Sequence, residues 1–201
     1  MYAPRLFCGR YRCYERFNQL DEKKFEKMLP NLTLVLGGAA SGKSLYSEQI
    51  INLTDAPKVY IATAQPFDSE MQAKIAQHKI QRGEGWITLE EPVAVAATLM
   101  SQPADHVVLV DCATLWLTNV LLADHDDAAM SDALCNALVT CPARVVVVSN
   151  EVGQGIVPEN ALSRKFRNAQ GKLNRMIAAE ADCVVAVMAG LPLALKGDLP
   201  A

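Results

Sequence analysis

The chain has 201 residues, 51% of them hydrophobic and 20% charged, with a formal net charge of −3. That length suits one compact core, and the composition excludes a disordered chain. The slight acidity leaves no electrostatic footprint for nucleic acid. The longest uncharged stretch near the C-terminus, residues 183–195, contains Gly190 and Pro192 and is shorter than the ~20 apolar residues of a membrane span.

Residues 1–27 carry seven Lys/Arg against four Asp/Glu and six of the twelve aromatic residues, with no sustained helical or strand period. They read as an extension ahead of a domain spanning 28–201. Three accounts stay open: Met28 is the natural start and the upstream residues a misassigned leader, the stretch is a basic arm for a partner or anionic surface, or it is a packed extension. The N-terminus has no apolar run of a secretory signal, and the six cysteines form no CxxC pair. A cytoplasmic location with small buried thiols is the expectation.

From Leu32 onward, short Val/Ile/Leu-rich runs alternate with helical stretches, the pattern of βαβ units around a buried parallel sheet. The first strand, Leu32 to Leu36, runs into Gly37, Gly38, Ala39, Ala40, Ser41, Gly42, Lys43 and Ser44, which satisfy G-x-x-x-x-G-K-[ST] between a strand and a helix. Such a loop turns its N–H groups onto phosphate oxygens beside a helix start. The Lys43 ammonium would reach the β- and γ-phosphates, and the Ser44 hydroxyl would bind Mg2+.

A second strand is expected at Lys58 to Ala62. Ser69 to Arg82 reads as a helix capped by Ser69, with Lys74, His78 and Arg82 recurring at i, i+4 and i+8. An imidazole between two cations tends toward its neutral, nucleophilic form. The alternative places His78 with Met71 and Ile75 on the buried stripe of an amphipathic helix. His106 and His125 read as structural or solvated.

Trp86 to Leu89 is a weak strand signal, and Pro92 to Met100 a helix. Val107 to Val110 is a strand ending at Asp111, the acidic residue that a phosphate cradle needs to orient a metal through its water shell. Helices are expected over Thr114 to Ala123, Ala128 to Val139 and Asn160 to Ala181. Strands are expected at Arg144 to Ser149 and Cys183 to Met188. Asn150 and Glu151 stand just beyond a strand end, where open α/β sheets place ligands; a turn with Gly153 is the alternative.

Taken in order, LVLGGAASGKS, YIATAQ, the segment His78-Lys79-Ile80-Gln81-Arg82 with Trp86 after it, VLVDCATLWLTN, VVVVSNEVGQGIVPEN and RKFRNAQGKLNRMIAAEAD resemble the bifunctional adenosylcobinamide kinase/adenosylcobinamide-phosphate guanylyltransferase family. The resemblance runs from Leu32 to Lys196. It implies an α/β fold of the P-loop NTPase type, a mostly parallel sheet flanked by helices. It also implies ATP and GTP as nucleotides, Mg2+, and adenosylcobinamide and its phosphate as substrates. Two chemistries would follow: phosphorylation of the aminopropanol hydroxyl, then transfer of GMP through a GMP-histidine intermediate at His78.

By the same resemblance, Thr63, Ala64, Gln65, Lys79, Ile80, Gln81, Arg82 and Glu90 contact the nucleotide and Asp111 assists the metal. A homo-oligomer is implied, with a trimer as the expected state. Three positions depart from the family pattern: Ala40 where an arginine is usual, Asn168 where an aspartate is usual, and Arg175 where a glutamine is usual. Two rival readings remain: a P-loop kinase of another small molecule, or a nucleotide-binding switch without transferase activity.

Overall fold

The computed structural model describes residues 29–65, 80 and 82–200. Seven strands form one sheet: β1 Leu32–Gly37, β2 Lys58–Ala62, β3 Trp86–Glu90, β4 Val107–Asp111, β5 Arg144–Asn150, β6 Cys183–Met188 and β7 Leu191–Lys196. Their order across the sheet is β3-β2-β4-β5-β1-β6-β7. All pairs are parallel except β6 with β7. Among the described residues five helices pack on it: α1 Lys43–Asn52, α2 Val95–Met100, α3 Ala113–Leu122, α4 Asp127–Thr140 and α5 Ala161–Glu180. Residues 1–28 and most of the Ser69 to Arg82 segment lie outside the described residues.

The inner strands are continuous aliphatic runs because both faces are covered. Alternate residues feed two cores. Leu34, Val59, Ile61, Val108, Val110, Val145 and Val147 pack with Leu99, Trp116, Leu117, Leu134, Leu173 and Ile177 from α2 to α5. On the other face, Val35, Tyr60, Leu109, Val146, Val148, Val185 and Val187 meet Ile50 and Ile51 of α1. This period-2 division fixes which side chains can meet at the ends of the strands.

Helix boundaries follow their caps. The Asp126 side chain accepts from the Ala128 and Ala129 N–H groups, and Asn160 accepts from Leu162 and Ser163, so α4 and α5 begin where those side chains satisfy otherwise unpaired donors. Gln170, Leu173, Asn174 and Ile177 of α5 form its buried stripe at i, i+3, i+4 and i+7.

The strand missed in sequence is β7. It turns back from β6 through Ala189 and Gly190, both at positive φ, and carries Pro192, which reads as a strand breaker unless the strand is at an edge. β3, the weak signal, is the opposite edge and is half-exposed on both sides. Cys112, Cys135 and Cys183 are buried as expected, and Cys141 is half-buried. Among the described residues no helix is long and apolar enough to cross a membrane.

Candidate active site at the carboxyl edge of the sheet

The phosphate-binding motif occupies the turn from β1 into α1. Gly38, Ala39 and Ala40 are exposed, and the α1 N-cap, Gly42, offers no side-chain hydrogen bond, so the first N–H groups of α1 are not met by a cap. Two glycines are demanded by geometry. A Cβ on Gly37 would collide with Ser41 Oγ and lie 2.7 Å from the Val187 carbonyl; Gly42 has φ 94° and would meet Gly190 Cα at 3.2 Å. Ala40 also lies at positive φ, 56°. The β6–β7 turn buttresses the loop, since the Gly190 N–H donates to the Ser41 carbonyl at 2.8 Å.

Lys43 Nζ donates to the Gly38 carbonyl at 3.0 Å, which folds its ammonium over the loop. Burial lowers its pKa from the ordinary lysine value, opposed by the acidic groups of Cys112 and Asp111. Lys43 and Asp111 therefore act on one another across the intervening strand β5. Ser44, half-buried, is the next residue of α1.

Asp111 ends β4 on the α1 face, in register with Ala62 of β2. Its Oδ2 accepts a 3.0 Å hydrogen bond from the Tyr60 hydroxyl. Burial first, and then the Asp111 charge, hold the phenol far above its usual pKa, so it remains a donor. The Ser44 hydroxyl and the Asp111 carboxylate are hard oxygen donors of the kind that hold Mg2+ together with substrate phosphates. Among the described residues no group of three or more His, Cys, Asp or Glu side chains could hold a metal by itself.

Beyond β2, the Thr63 hydroxyl donates to the Cys112 carbonyl and accepts from the Cys112 N–H, both at 2.8 Å, so it ties the tip of β2 to that of β4. Asn119 donates to the carbonyls of Thr63 and Pro92 at 2.8 and 3.0 Å, joining the β2 and β3 exits. Ala64 and Gln65 are half-buried at the same edge, and Glu90 ends β3 opposite Ala62.

Arg82, expected on a cationic stripe with Lys74 and His78, is buried. It is 7% exposed, with its guanidinium 3.5 Å from the Tyr60 ring centroid and a 3.1 Å hydrogen bond to Thr88 Oγ1. Ile80 is 82% exposed. Lys74, His78, Lys79 and Gln81 lie outside the described residues. The other two histidines are far from this edge in the topology: His106 precedes β4 and bonds Asp105, and His125 is exposed beyond the end of α3.

Sequence reasoning missed the supports of β5. The Asn150 N–H donates to Thr114 Oγ1 at 2.8 Å, and the Asn150 carbonyl accepts from Asn174 Nδ2 at 3.1 Å. Gln170 Nε2 donates to Ser149 Oγ and Asn174 Oδ1, each at 2.9 Å. Asn150 is thus fixed beside Gly37, its partner in register, while its buried Oδ1 has no hydrogen-bond partner. A polar pair at i and i+4 on the buried stripe of α5 was the available signal. Asn168 and Arg175 lie on the exposed side of that helix, and Ala40 is exposed in the loop.

A model of the cobinamide kinase / cobinamide phosphate guanyltransferase family matches residues 33–195. The chain belongs to this family. It is 46% identical over 170 residues to the bifunctional adenosylcobalamin biosynthesis protein CobP of Pseudomonas aeruginosa, covering 82% of this chain and 97% of that one. Over 182 residues it is 42% identical to the bifunctional adenosylcobalamin biosynthesis protein CobU of Salmonella typhimurium, covering 82% and 99%. A solved structure from Pyrococcus horikoshii OT3 shares the fold, with a TM-score of 0.50 at 12% identity, over 89% of this chain and 92% of that one. For a member of the cobinamide kinase / cobinamide phosphate guanyltransferase family, the edge built from the β1–α1 loop, Asp111 and Asn150 is the candidate active site.

Proposed function

We propose that the chain phosphorylates the aminopropanol hydroxyl of adenosylcobinamide, with ATP or GTP as donor. It then transfers GMP from GTP to that phosphate, giving adenosylcobinamide-GDP and pyrophosphate. The observation that carries this reading is a phosphate cradle with Lys43 folded over it and Asp111 at the same sheet edge, in a chain of this family.

In the kinase step, the loop N–H groups and the start of α1 take the phosphate oxygens, and Lys43 Nζ exchanges the Gly38 carbonyl for the β- and γ-phosphates. Ser44 and Asp111 would hold Mg2+, which supplies neutralisation of phosphate charge. Catalysis here is mainly positioning and charge stabilisation, so the fixed Asn150 and Asp111 ends matter as much as any proton transfer.

In the second step, a neutral His78 imidazole attacks the α-phosphorus and pyrophosphate leaves. The substrate phosphate then displaces the imidazole, so two easier exchanges replace one difficult one. Thr63, Ala64, Gln65, Lys79, Ile80, Gln81, Arg82 and Glu90 are proposed as nucleotide contacts. Thr63 is fully buried, with its hydroxyl paired to Cys112, its N–H to the Asp111 carbonyl and its carbonyl to Asn119, so its part would be to hold the Ala64 and Gln65 exit in place. A homo-oligomer, with a trimer expected, belongs to the same proposal.

Incubation with α-labelled GTP tests the reading. Acid-labile, alkali-stable label on the wild-type chain, absent in His78→Ala, is the expected result. Adenosylcobinamide phosphorylation should fall at least ~10²-fold in Lys43→Ala. Phosphorylation without an adduct would remove the histidine from the mechanism, and a folded protein with neither activity would overturn the reading.

A further inference from the structure

The geometry points to Tyr60 as a positioning residue shared by both chemistries: its hydroxyl orients Asp111 and its ring seats Arg82. Tyr60 is the one polar-tipped side chain in the buried middle of β2, between Val59 and Ile61, and alternation puts it on the α1 face with Asp111. Burying a phenol costs free energy unless its hydroxyl is paired. Here the partner is a carboxylate, the stronger kind of acceptor, and the bond engages Oδ2 of Asp111.

The other side of the same ring is used as well. The Arg82 guanidinium stacks over it at 3.5 Å, and Trp86 meets it edge-on with centroids 6.3 Å apart. Arg82 Nε and Trp86 Nε1 are buried without hydrogen-bond partners, and among the described residues the Tyr60 face, the Trp86 ring and the bond to Thr88 hold this guanidinium. Arg82 closes the segment in which His78 stands four residues earlier in sequence. One side chain thus touches the carboxylate assigned to the kinase step and Arg82, one of the proposed nucleotide contacts. A purely structural aromatic would need no hydroxyl pointed at Asp111.

The inference rests on the proposed function, and its test separates the two. Mn2+ binding in the presence of GTP is followed by electron paramagnetic resonance, and GMP adduct formation by label from α-labelled GTP at saturating Mg2+. Thermal melts check that each variant is folded. Tyr60→Phe keeps the ring and should weaken Mn2+ binding by about tenfold, the loss of one hydrogen bond to a charged group, with a smaller effect on the adduct rate. Arg82→Met should reverse that order, slowing the adduct by about tenfold and weakening Mn2+ less.

The crossing of the two effects is the expected result. Parallel losses in both measures that track the melting temperature would assign Tyr60 to packing and overturn the inference. So would wild-type Mn2+ affinity in Tyr60→Phe. Failure of the proposed function is seen separately, as a wild-type chain that forms no adduct and phosphorylates no adenosylcobinamide.

Discussion

On the α5 side of the sheet, Ser149, Gln170 and Asn174 close a neutral network of hydrogen bonds 2.6 to 2.9 Å long. On the α1 side, Tyr60, Arg82 and Asp111 form a charged and aromatic chain in which a guanidinium nitrogen stays unpaired. Both end at the carboxyl edge of the strands, beside the phosphate loop. The neutral network carries no charge and holds the tip of β5 through Asn174, although its own Gln170 Oε1 is buried without a partner. The charged chain leaves groups that a polyanion or cation can still engage. Rigid support and reactive chemistry are therefore divided between the faces, as the division of the core by alternate residues allows.

Breaking the neutral side should give the largest change in stability. Gln170 is fully buried, and Gln170→Leu keeps its approximate volume while leaving Ser149 Oγ and Asn174 Oδ1 without that donor. A loss of about 1 to 2 kcal/mol is expected in urea unfolding, because two buried hydrogen bonds go while Ser149 Oγ and Asn174 Oδ1 keep the one between them. A loss under ~0.5 kcal/mol would show that the network is not what holds β5. Thr114→Val is the milder cut. It removes the acceptor for the Asn150 N–H and should cost about 1 kcal/mol. Because Asn150 borders Gly37, the same variant should also raise the KM for the nucleoside triphosphate more than it lowers kcat.

Much of this edge was legible before any coordinates. The cradle could be read because glycine spacing, a preceding aliphatic run and a following helix all demand the same turn. Asp111 could be read because it breaks an aliphatic run at its end. The pairing of Tyr60 with Asp111 could not, since it needs β2 and β4 to be neighbours with those two residues on one face, and 51 residues separate them in the chain. Arg82 was legible as a cation, but its burial depends on an aromatic ring supplied by another strand. β7 was hidden by Pro192, whose missing N–H is harmless only at an edge, and edge position is a property of the whole sheet.

The smallest effect separates the faces by pH. The α5 network contains no ionisable group, whereas on the α1 face the fully buried Cys112 thiol is pushed up to about 12, first by burial and then by the Asp111 charge. In the unfolded chain the thiol ionises near its ordinary 9.0, while in the native fold it keeps its proton. A raised folded pKa means that its contribution is fully present below pH 9 and is lost as pH climbs from 9 toward 12. Wild-type stability should therefore fall by up to about 1 kcal/mol more than that of Cys112→Ala between pH 9 and 10, measured by urea unfolding at each pH. Gln170→Leu, which touches only the neutral side, should keep the wild-type slope across that interval. Equal slopes for wild type and Cys112→Ala would mean that the thiol already ionises in the native fold, which a dry α1 face does not permit.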